Sequence, residues 1–195
     1  RQHKEKARRE EEEAAREAPP RGLGVGKGRI LDFRKLNQSG EVESPRTASG
    51  LSEFDRVCGG GLVPGSAILI GGDPGIGKST ILLQVMARLA NTGIKCAYIS
   101  GEEAPAQIRM RARRLGLQNA PLDLAAATSV RDIVATMEEA GPPHVMVIDS
   151  IQTMYVDSVE AAPGTVSQVR TSAQELIRAA KRQDICLLLV GHVTK

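Results

Sequence analysis

Aromatic residues make up only 2% of the 195 positions, and there is no Trp. A core must therefore rest on Leu, Ile, Val, Ala and Met, and base stacking on aromatic platforms is a poor route to nucleic acid here. Cysteine is scarce too. Cys58, Cys96 and Cys186 stand far apart and none belongs to a C-x-x-C pair, which excludes a zinc site of the usual spacing within this chain. Cys96 and Cys186 lie in apolar runs and read as small buried hydrophobes. No apolar run approaches the roughly 20 residues that span a bilayer, and the highly charged N-terminus is not a signal peptide. The expectation is a cytoplasmic protein with no membrane partner. A dominant charge is also lacking: the net charge of +3 permits a polyanionic partner without arguing for one.

The chain does contain Gly71-Gly72-Asp73-Pro74-Gly75-Ile76-Gly77-Lys78-Ser79-Thr80. From Gly72 it reads G-x-x-x-x-G-K-S, the phosphate-binding loop pattern. Its glycines let successive backbone N–H groups turn inward to phosphate oxygens. The Lys78 ammonium reaches the terminal phosphates, and the Ser79 hydroxyl is placed to ligate Mg²⁺. The predicted binding residues are Gly72, Asp73, Pro74, Gly75, Ile76, Gly77, Lys78, Ser79 and Thr80, with ATP or ADP as ligand. The context agrees: a short apolar strand over residues 66–70 precedes the loop, and an amphipathic helix follows it.

Around that loop the chain falls into order. Residues 1–48 read as a charged and flexible linker. In it, i,i+4 charge pairs in 1–20 lack an apolar face, glycines alternate over 22–28, and an edge strand is expected at 30–36. Residues 49–195 read as one domain. A short helix over 51–58 has Ser49 where a cap would stand and is stopped by Gly59-Gly60-Gly61. Helices are expected at 78–91, 105–115, 130–140 and 166–183, and strands at 95–100, 122–125, 145–149 and 185–190. Pro105 suits a first helical turn, and Ser129 with Asp132 suits a cap. A long loop covers 157–165. Apolar strands alternating with helices define an α/β fold with a mostly parallel sheet covered on both faces. The chain starts without Met and stops just after a strand, the expectation for a piece of a longer protein.

The remaining chemistry clusters at strand ends. Asp149 emerges from the buried run Val145-Met146-Val147-Ile148, at the edge where open α/β sheets bind ligands. With Ser79 it is the predicted metal pair for Mg²⁺, which favours one or two carboxylates plus phosphate oxygens and water. Glu102 and Glu103 both follow the strand at 95–100. Either carboxylate is placed to orient attacking water, and either would also favour the dipole of the next helix. His192 follows the strand at 185–190, where it is placed to sense a γ-phosphate, to act as a base, or to be an ordinary loop histidine. Arg109, Arg111, Arg113 and Arg114 crowd one helix, and Arg170, Arg178 and Arg182 form a stripe on another. Each set reads first as a solvated face and second as a phosphate-backbone contact.

Six separated strings carry a resemblance: Gly59-Gly60-Gly61-Leu62-Val63-Pro64-Gly65-Ser66, the loop 71–80, Tyr98-Ile99-Ser100-Gly101-Glu102-Glu103, Ile148-Asp149-Ser150-Ile151-Gln152-Thr153-Met154-Tyr155, Ala162-Pro163-Gly164-Thr165-Val166-Ser167-Gln168-Val169-Arg170, and Val190-Gly191-His192-Val193-Thr194-Lys195. From about residue 51 to 195 the chain resembles the RadA (Sms) family of bacterial DNA-repair proteins, relatives of RecA. The resemblance implies a RecA-like P-loop NTPase core and a DNA-stimulated ATPase motor acting on single-stranded or branched DNA beside a RecA-type recombinase. It also implies a homo-hexamer when full length. Glu102 matches the carboxylate that activates water and His192 the γ-phosphate sensor, so Lys78, Glu102 and His192 become the catalytic set. The loop 157–165 resembles one that faces DNA. The family begins with a four-cysteine zinc module, which this chain lacks, so zinc is expected only in a full-length protein. Its Lys-Asn-Arg-Phe-Gly motif and its domain similar to Lon protease would lie beyond residue 195. Two rival readings share the loop: a nucleotide switch or ring scaffold with little turnover, and a RecA-fold autokinase.

Overall fold

The computed structural model describes residues 30–33, 35, 44–139 and 141–192. The chain divides into Arg1–Val42 and Glu43–Lys195. In the first unit, residues 30–33 and 35 belong to no helix or strand, and Ile30 and Phe33 are 95% and 87% exposed. The edge strand expected at 30–36 is thus not formed at those positions; an apolar alternation makes a strand only where a partner lies beside it. Residues 34 and 36, the charge pairs of 1–20 and the glycines of 22–28 lie outside the described residues.

In the second unit the elements run α1 (Ser52–Val57), β1 (Ala67–Gly72), α2 (Lys78–Asn91), β2 (Cys96–Ser100), α3 (Pro105–Arg114), β3 (Asp123–Ala126), α4 (Val130–Glu138), β4 (Val145–Asp149), a single 3₁₀ turn (Ile151–Thr153), α5 (Val166–Arg182) and β5 (Cys186–His192). The strands form one parallel sheet in the order β1-β5-β4-β2-β3. Each parallel step needs a crossover, and helices supply it.

Side chains alternate across the sheet and divide the core in two. On one face Tyr98, Val147, Leu188 and Val190 pack against Leu82, Val85 and Met86 of α2 and Ile108 of α3. On the other, Met146, Ile148, Leu187 and Leu189 meet Ile133 and Met137 of α4 and Leu176 of α5. Every residue of β4 is buried. Each such aliphatic side chain contributes about 1.5–3 kcal/mol, so the central strands β5 and β4 hold the platform. β1 and β3 are the outer strands of this sheet, and Leu69 of β1 is 67% exposed.

Local rules set most boundaries. The Gln107 side chain accepts from the Ala104 amide at 3.0 Å and Pro105 opens α3. Ser129 Oγ accepts from the Asp132 amide at 3.4 Å at the start of α4. At α1 the expected cap is reversed. Leu51 holds the cap position without a side-chain bond, and the Asp55 carboxylate reaches back to accept from the amides of Ser49 (2.8 Å) and Gly50 (3.1 Å). Burial works against the Asp55 charge, but the donors from Ser49 and Gly50 outweigh it and hold the carboxyl below its ordinary range. α4 ends at Glu138, short of the expected 140, ahead of Gly141 and two prolines.

The predicted loop 157–165 has an anchor. Gln168, buried on α5, accepts from the Val156 amide at 3.0 Å. Its amide group donates to the carbonyls of Val156 (3.3 Å), Val159 (3.1 Å) and Ala161 (2.9 Å).

Candidate nucleotide-binding site at the carboxyl edge of the sheet

Strand register assembles the site. Gly72 at the end of β1 lies opposite His192 at the end of β5, and Ser100 at the end of β2 lies opposite Asp149 at the end of β4. All strands are parallel, so these ends share one edge. β5 runs through His192, two residues past the strand expected at 185–190, so that His192 is a strand residue rather than a loop residue.

The loop between β1 and α2 closes at Gly77, the residue before α2, with φ at 98°. Side chains rarely adopt that left-handed conformation. It directs the first amides of a 14-residue helix toward the space above the sheet, where an anion is favoured. Lys78 is only 7% exposed. Its ammonium donates to the carbonyls of Gly72 and Asp73, each at 2.7 Å. An ammonium has three donors, so one remains for a phosphate oxygen while two secure the loop.

Asp149 is buried at the end of β4, and its Oδ2 accepts from the phenol of Tyr98. Tyr98, itself fully buried, joins β2 to β4 beneath the loop. Burial raises its pKa most; the Asp149 charge and the bond to it add to the rise, while the Arg111 guanidinium and Ser79 hydroxyl near the phenol oppose it. The phenol therefore stays protonated and donates. Through Tyr98, the two predicted metal residues, Ser79 and Asp149, belong to one polar group.

The two glutamates separate. Glu103 pairs with Arg111 at 2.6 Å, which turns Arg111 off the basic face of α3 and into the protein. Glu102 turns the other way: its Oε1 accepts from Ser150 Oγ at 2.7 Å and lies 3.4 Å from His192 Nε2. Gln152, on the 3₁₀ turn, donates to the His192 carbonyl at 3.1 Å. Among the described residues, His192 Nδ1 and Gln152 Oε1 here, and Arg111 Nε and Nη2 beside Glu103, are buried atoms without a protein partner. Gly101 permits the close approach; a Cβ there would lie 2.8 Å from Thr153 Cβ. The stripe expected on α5 is partly neutralised, since Arg178 pairs with Glu175 and Arg182 with Glu138.

The residue set suits Mg²⁺ only in company. Among the described residues no group of three or more His, Cys, Asp or Glu is placed to hold a metal. One hydroxyl and one carboxylate beside a phosphate loop match an ion that takes its other oxygens from phosphates and water. Spacing did not reveal Tyr98, Ser150, Gln152 or Arg111 as parts of the site. The available signals were a lone tyrosine in an aliphatic strand and polar residues directly after a buried one.

These features define a RecA-like P-loop nucleotide-binding domain. A family model described as an AAA domain matches residues 46–195, and the chain belongs to that family. The resemblance to RadA holds along the chain. It is 54% identical over 185 residues to the DNA repair protein RadA of Brucella abortus (strain 2308), covering 89% of this chain and 40% of that protein. It is 48% identical over 171 residues to the DNA repair protein RadA of Escherichia coli (strain K12), covering 88% and 37%. The chain therefore spans about two fifths of the length of these curated relatives. Among solved structures it is similar to a DnaB-like replicative helicase studied with primase (TM-score 0.63, 16% identity, 76% of this chain and 43% of that one). It is also similar to the ATPase domain of G40P (TM-score 0.61, 15% identity, 76% and 64%). Both likenesses speak to fold.

Proposed function

We propose that this chain is the ATP-hydrolysing core of a RadA-type DNA-repair protein, dependent on Mg²⁺ and stimulated by single-stranded or branched DNA. The observation that carries the reading is the meeting of the Lys78 loop, the Ser79–Tyr98–Asp149 group and the Glu102–Ser150–His192 group at one sheet edge.

In this reading the amides of 72–80 and Lys78 hold the β- and γ-phosphates. Mg²⁺, held by Ser79 and Asp149 with phosphate oxygens and water, would neutralise charge developing between the β- and γ-phosphates. Glu102 orients the attacking water and accepts its proton. Ser150 aims the Glu102 carboxylate, and His192 turns its ring toward the γ-phosphate as that group comes and goes. Glu103, bound to Arg111, takes no part in the chemistry. Full-length assembly as a homo-hexamer, a RecA-type recombinase as partner and a cytoplasmic setting belong to the same proposal. The relatives' name and the helicase-like fold support it. For the membrane, no helix among the described residues is long and apolar enough to cross one.

The test is ATP turnover of this chain, with and without single-stranded DNA, beside Lys78→Ala. Turnover that rises with DNA and is lost in the variant is expected. Turnover unchanged in Lys78→Ala would overturn the site. With γ-labelled ATP, free phosphate supports the hydrolase, whereas label on the protein would replace it with an autokinase.

A further inference from the structure

We infer that Tyr98 is a positioning residue for nucleotide-bound Mg²⁺: its phenol holds one oxygen of the Asp149 carboxylate and leaves the other for the metal. The inference rests on the nucleotide reading of this site and assigns a role to a residue outside the phosphate-binding pattern.

The geometry makes the case in steps. Asp149 ends a strand in which every residue is buried. A carboxylate so placed needs a hydrogen-bond donor. Among the described residues neither nearby cation pairs with Asp149: Arg111 Nη1 bonds Glu103, and Lys78 bonds the carbonyls of Gly72 and Asp73. The donor to Asp149 is the Tyr98 phenol. A neutral donor fixes the carboxylate without cancelling its charge, so the full negative charge remains available to a dication. An arginine or lysine in its place would form an ion pair that the metal must first break.

Register explains why this residue reaches. Tyr98 lies opposite Val147 on the neighbouring strand. Asp149 is two residues beyond Val147 and so on the same face, the diagonal position that a long aromatic side chain can span. The ring packs in the aliphatic core facing α2 and α3, and β2 is otherwise Cys, Ala, Ile and Ser. For volume alone Phe would serve; a buried hydroxyl is retained only with a partner worth having. The Ser79 hydroxyl lies near the same phenol, so Tyr98 bonds one member of the predicted metal pair and stands close to the other.

The test compares the full chain with Tyr98→Phe, which keeps the ring. A fluorescent ADP analogue is bound in EDTA and then titrated with Mg²⁺. In EDTA the two proteins should bind equally. The Mg²⁺ needed for half-maximal enhancement should rise about tenfold in Tyr98→Phe, the usual lower bound when a group that orients a metal ligand is lost. Asp149→Asn should remove most of the enhancement, and Tyr98→Phe should add nothing further in that background. Equal weakening with and without Mg²⁺ would mark Tyr98 as merely structural and overturn the inference, as would an unchanged Mg²⁺ response. Failure of the unsubstituted chain to bind nucleotide would instead sink the site reading itself.

Discussion

Glu102 and Glu103 are adjacent in sequence, yet their environments differ in kind. Glu103 lies in an ion pair with Arg111, while Glu102 accepts from Ser150 within reach of His192. Water activation by a positioned carboxylate is worth roughly 10²–10⁴ in rate. Glu102→Gln should therefore lower ATP turnover by about that factor while nucleotide affinity stays within a few-fold, measured by phosphate release beside equilibrium binding. Glu103→Gln removes the charge facing a mostly buried Arg111, which costs stability rather than chemistry, and should leave turnover nearly intact. If Glu103→Gln alone arrests hydrolysis, the two assignments are interchanged. Spacing left the two equivalent, because neighbouring residues at a strand end point to opposite sides and the sequence does not state which side holds the ligand.

At the scale of elements, the loop after the 3₁₀ turn owes its shape to one side chain outside it. The buried Gln168 amide serves three loop carbonyls and the Val156 amide. Gln168→Leu would leave buried polar groups unpaired at about 1–3 kcal/mol, a fall in Tm of roughly 2–4 °C per kcal/mol for a domain of this size. Protease cleavage within 156–165 should speed up in the same variant; a loop as resistant as before would refute the anchor. Helix and strand boundaries, by contrast, were legible to within about two residues. Long apolar runs and Gly, Pro and Ser punctuation act locally, so β2, β4, α2 and α5 declared themselves. The cap of α1 did not, because the choice between Ser49 and Asp55 depends on how the chain turns at Gly50.

For the whole molecule, the three thiols report how firmly the two-faced core is closed. Cys96 and Cys186 are buried and Cys58 is half-buried. Burial, with the Asp123 charge adding to it, pushes the Cys96 thiol up to about 12, and burial likewise raises Cys186 and Cys58. A raised value keeps the reactive thiolate rare until the pH approaches it, so at pH 8 only about one Cys96 in ten thousand is ionised while folded. Alkylation at pH 8, followed by mass spectrometry, should label Cys58 first and reach Cys96 and Cys186 only as denaturant opens the sheet. Native labelling of Cys96 at the rate of Cys58 would contradict the packing.

The sequence by itself determined the α/β alternation, the phosphate loop with Lys78 and Ser79, and the buried strand ending in Asp149, because each of these is written in residues close together in the chain. Only the tertiary structure decided that β1 and β3 are the outer strands, that His192 stands opposite Gly72, that Glu102 rather than Glu103 meets Ser150, and that Tyr98 holds Asp149. Those pairings join residues about 50 to 120 positions apart. They follow from strand order and register, which the packing of helices on both faces sets and no local pattern encodes.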